Sequence, residues 1–74
     1  MTDSNEIEAL KASFRGALST AAALAAVEDR VLALDPRAEI PGEDMDELER
    51  VTLAHAVSSL ALRGLIESIR ARRT

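Results

Sequence analysis

The chain lacks cysteine, tryptophan and tyrosine, and has one phenylalanine, one histidine, two prolines and three glycines in 74 residues. Without cysteine there are no disulfides and no thiolate metal sites, and the lone His55 cannot by itself build a structural metal site. The longest stretches free of charge are twelve residues, Gly16 to Val27 and Val51 to Leu62, well short of a bilayer span. Gly16, Gly42 and Gly64 stand isolated, so no glycine-rich loop is present to cradle a phosphate. The single histidine has no organised acid or nucleophile near it in sequence, which argues against an enzyme and leaves no catalytic, cofactor or metal residues to assign.

What is abundant is Ala, Leu, Glu and Arg, a composition that favours an all-α chain. At 47% hydrophobic and 30% charged residues it is too apolar for a disordered segment. The first residues carry Asp3, Glu6 and Glu8 where a secretory signal would carry Lys or Arg, so a cytoplasmic protein is expected, with no membrane association. A net charge of −4 opposes broad contact with nucleic-acid phosphates.

Asp35-Pro36 and Pro41-Gly42 punctuate the middle of the chain, because proline disfavours helix in the residue before it. The expected organisation is a single domain, with a helix over 3–34, a linker over 35–43 and a helix over 44–72. Asp3 with Glu6, and Asp44 with Glu47, have the spacing of capping boxes. Folding the chain back about Glu39 lays the two charge-free windows on one another, which predicts an antiparallel helical hairpin. The same fold sets Glu28 opposite Arg50, Lys11 opposite Glu67, Glu8 opposite Arg70 and Glu6 opposite Arg72, while Arg15 opposite Arg63 and Asp29 opposite Glu49 break the rule.

In the first helix the apolar stripe reads Ile7, Leu10, Phe14, Ala17, Ala21, Leu24 and Val31, in alternating steps of three and four up to Leu24. The second helix is apolar on two sides. Leu48, Val51, Leu62, Leu65, Ile66 and Ile69 form one stripe; Leu53, Val57, Leu60 and Ala61 form another. Two stripes imply two neighbours, the first helix and a partner chain. A core of this length rarely supplies more than about 3 to 5 kcal/mol, and oligomerisation is the staple left to a chain without cysteine or metal. The expected assembly is therefore a homodimer, two hairpins making a four-helix bundle, with Leu53, Val57, Leu60, Ala61, Ile66 and Ile69 as candidate interface.

Three polar features invite a functional reading. His55, Glu28 and Arg50 are candidate buried polar residues, with Glu28 and Arg50 expected to pair near the turn. Arg63, Arg70, Arg72 and Arg73 are a candidate nucleic-acid contact, although cations in a last helical turn also answer the helix dipole. The string Ala54-His55-Ala56-Val57-Ser58-Ser59 resembles the histidine neighbourhood of histidine-containing phosphotransfer domains, which implies a helical bundle with His55 as phosphoacceptor. Ser58 and Ser59 stand where that family has small and basic positions. Glu39-Ile40-Pro41 with Glu43-Asp44 resembles the loop before the third helix of acyl carrier proteins, but that family's Asp-Ser-Leu attachment site is missing. In architecture the expected dimer resembles the small plasmid-copy-number RNA-binding hairpins, by shape alone. The expected function is a non-catalytic protein-interaction module, such as an adaptor, regulatory subunit or small component of a phage-type assembly, with a nucleic-acid-binding regulator as the alternative and phosphotransfer through His55 as a further one.

Overall fold

The computed structural model describes residues 4–73, and side chains from Asn5 to Arg73. Two helices, α1 (Ser4–Leu32) and α2 (Gly42–Arg73), pack against each other, and no strand occurs among the described residues. α1 runs unbroken through Gly16. Asp3, the expected capping-box partner of Glu6, lies outside the described residues.

The turn follows from its residue types. Asp35 begins it and Pro36 supplies a preset φ at the second position, the preference of a type I β-turn. Ala38 N–H donates to the Asp35 carbonyl at 2.9 Å, and Arg37 N–H donates to Asp35 Oδ1 at 2.8 Å. Leu34 N–H donates to Val31 O at 3.0 Å, tightening the exit of α1, so the helix stops two residues short of the expected boundary. α2 begins two residues early for a complementary reason. The Pro41 carbonyl accepts from Asp44 N–H at 3.0 Å and Met45 N–H at 3.1 Å, so the backbone of Pro41, rather than Asp44, stands at the cap position.

Shielded residues recur along α1 as Leu10, Ser13, Ala17, Thr20, Leu24, Val27, Val31 and on to Leu34, and along α2 as Asp44, Leu48, Val51, His55, Ser58, Leu62, Leu65 and Ile69. The alternating steps of three and four are those of an antiparallel coiled-coil seam. On α1 the seam keeps Leu10, Ala17, Leu24 and Val31 of the expected stripe but replaces its other half by the residues one position earlier, and Phe14 is 45% exposed. Continuing the Ile7, Phe14, Ala21 series by seven places Glu28 between the helices; stepping one residue back puts Val27 there instead, with no exposed surface. Burying a methyl pair in place of an unpaired carboxylate decides the choice.

The hairpin is long and thin, 56 × 17 × 16 Å, with a radius of gyration of 16.8 Å. A compact chain of this length would have about 11 Å. Only Val27, Val51 and Ile69 are buried among the described residues. The accessible surface is 5767 Å² for 7.9 kDa, against about 4,400 Å² for a folded monomer of that mass. The surplus of about 1,400 Å² exceeds the roughly 800 Å² that one partner contributes to a standard interface.

Candidate interaction surface

A hairpin seam leaves each helix two flanks and a back. On one flank the periodicity gathers large apolar side chains from both helices. Ile7, Phe14, Leu18 and Leu32 come from α1, with Leu18 70% and Leu32 80% exposed. Met45 and Ile66 come from α2. Three shallow grooves run along this flank. One is lined by Phe14, Ala17, Leu18, Ala21, His55 and Leu62, and its lining is apolar. The second is formed by Glu28, Val31, Leu32 and Leu48, and the third by residues between Met45 and Ala56, including Glu49 and Thr52. The opposite flank carries Ala9, Ala12, Gly16, Ser19 and Ala23 of α1, with Ala54, Ala61, Gly64 and Ser68 of α2.

The residues singled out from sequence divide between these surfaces. Ile69 is 6% exposed and belongs to the seam, so it cannot serve an outside partner as expected. Its step of four from Leu65 carries it inward, whereas Ile66, one residue beyond Leu65, lies on the groove flank and not on the seam stripe with which it was grouped. Leu53 and Leu60 lie on the back of α2, Leu53 also lining the groove beside Met45, while Val57 stands seven residues before Gly64 on the small-residue flank; Leu60 is 65% exposed. Ala61 is exposed on the small-residue flank.

No polar or charged residue is buried among those described. His55 is half-buried in the middle of the seam, and its Nδ1 lies 3.0 Å from Thr20 Oγ1. Thr20 Oγ1 is also 3.1 Å from Ala17 O and 3.2 Å from Gly16 O, so the hydroxyl sits between two carbonyls of its own helix and the His55 ring. A phosphoacceptor nitrogen has to reach a donor in solution; here one ring nitrogen is committed to α1.

Glu28 and Arg50 are both exposed, and the expected pair between them is not the one formed. Arg50 Nη2 instead lies 3.9 Å from Glu47 Oε1 on its own helix. The turn end is clamped by Arg30, which reaches Glu47 through Nη2 and Asp44 Oδ1 through Nε at 3.7 Å. At the open end the expected pair of Glu6 with Arg72 is present at 3.2 Å, and Arg73 approaches the same carboxylate at 3.7 Å. Arg63 pairs with Glu67 at 3.1 Å, so Glu67 turns along α2 and away from Lys11. Three of the four arginines of the candidate nucleic-acid cluster thus have carboxylates beside them, which lowers the charge they offer a phosphate.

Among the described residues no helix is long and apolar enough to cross a membrane, and no three His, Cys, Asp or Glu side chains come together as a metal site. Comparison with protein family models, with curated proteins and with solved structures found no match to the chain.

Proposed function

We propose that the protein is a non-catalytic protein-interaction module that works as a homodimer, two hairpins packing into a four-helix bundle. The observation that carries this reading is the groove flank, where Ile7, Phe14, Leu18, Leu32, Met45 and Ile66 stand exposed on one side of the hairpin. A run of exposed large apolar side chains gathered on one side marks an association site. A second copy on the flank covers Leu53 where it lines the groove and leaves Val57 and Leu60 facing outward on α2, as the surface by which an adaptor, regulatory subunit or small assembly component engages another protein.

Sedimentation equilibrium at micromolar concentration tests the assembly. The expected mass is twice the 7.9 kDa of the chain, and Leu18→Glu should return it to the monomer by placing a charge in an apolar contact. A wild-type monomer overturns the reading. Nucleic-acid binding that weakens steeply with salt and is lost with Arg70→Ala would favour the regulator alternative instead.

A further inference from the structure

The charges along the groove flank are not scattered. Glu28, Asp46 and Glu49 line its grooves near the turn. Lys11 stands seven residues before Leu18 and Arg70 fourteen after Ala56, so helical periodicity puts these exposed cations on the same flank at the open end; Arg63, seven after Ala56, shares that side but is paired with Glu67. The middle, around Leu18, Ala21, Thr52 and Ala56, falls within the two charge-free windows. The flank is acidic at one end, apolar in the centre and basic at the other.

Resting on the homodimer reading above, we infer that the second copy lies on this flank head to tail, its open end against the turn end of the first. Two closed arrangements bring the same flank of two copies together. With the two-fold axis along the hairpin, both turns sit at one end, acid faces acid and base faces base. With the axis across the hairpin, Glu28 and Glu49 of one copy meet the Lys11 and Arg70 end of the other, at both ends of the bundle at once. Opposite charges at the rim set register and orientation while the apolar centre supplies the association. The second arrangement also places α1 against α1 with Leu18, near the midpoint of that helix, beside the axis.

A single nitroxide at Arg37→Cys tests the arrangement, since the chain has no other cysteine and Arg37 is exposed at the tip of the turn. In a dimer confirmed by sedimentation, the two labels of a head-to-tail pair stand about 50 Å apart, set by helices rising about 1.5 Å per residue. A separation near 20 Å, about two helix diameters, puts the turns together and overturns the arrangement while leaving the dimer intact. A monomer overturns the dimer reading itself. Glu28→Lys with Glu49→Lys gives a second readout. Head to tail, it sets cation against cation and weakens the dimer at least tenfold at low salt; with turns together, one like-charge contact replaces another, and an unchanged affinity overturns the inference.

Discussion

Thr20 on α1 and His55 on α2 are joined at 3.0 Å across the middle of a seam whose other layers are mostly aliphatic. A polar pair at such a position contributes little net stability but penalises every register that separates it. Thr20→Val leaves a half-buried imidazole edge without its partner and should cost about 1 kcal/mol in denaturant unfolding. The double variant Thr20→Val with His55→Leu should recover that loss or exceed wild-type stability, because both polar partners are gone.

Gly16 and Gly64 sit inside helices, and a methyl group at either meets nothing within 4 Å. Gly16→Ala and Gly64→Ala should each stabilise the protein by about 0.5 to 1 kcal/mol through helix propensity. Both lie away from the groove flank, so neither should weaken the dimer in sedimentation. Loss of association in either variant would locate the partner copy on the side of small residues.

The two ends of the hairpin are clamped unequally. Glu6 has 15% of its side chain exposed beside Arg72 and Arg73, whereas Arg30 keeps 47% of its side chain exposed beside Asp44 and Glu47. Glu6→Ala should therefore cost more than Arg30→Ala, whose effect should stay within about 1 kcal/mol and shrink as salt is added. Amide exchange in the last turns of α2 should accelerate in Glu6→Ala and stay unchanged in Arg30→Ala.

Val27 is fully buried between the helices while Leu18 is 70% exposed in a single hairpin. Val27→Ala should cost about 2 kcal/mol at any protein concentration. Leu18→Ala should cost under about 0.5 kcal/mol when the protein is dilute enough to be monomeric, as surface substitutions do. At concentrations where the dimer forms it should cost as much as a core truncation, and a thermal melt run across a hundredfold range of concentration would show the difference.

Much of the hairpin was legible in the residues alone. Asp35-Pro36 and Pro41-Gly42 marked the turn, the two charge-free windows marked the paired helices, and Glu6 found Arg72 as the fold about Glu39 required. The seam was harder to see because its middle is built of Ser13, Ala17, Thr20, His55 and Ser58, while the greasier Phe14 and Leu18 stand beside it. Leu10, Ala17, Leu24 and Val31 of the expected α1 stripe do line the seam, but hydrophobicity set Ile7 and Phe14 beside them where Ser13, Thr20 and Val27 turn inward, and the Glu28–Arg50 pair set by folding the chain about Glu39 does not form. Nothing in the composition separated the groove flank from the back of α2, so the candidate interface mixed Ile69 of the seam with Ile66 of the flank and Leu60 of the back.

Local chemistry settled what the chain decides residue by residue: two helices, one proline-bounded turn, and an antiparallel return. Which of two adjacent faces of α1 turns inward was decided only by packing. A one-residue rotation there exchanges Val27 for Glu28 between the helices, and the cost of enclosing an unpaired carboxylate is felt only once both helices are in place.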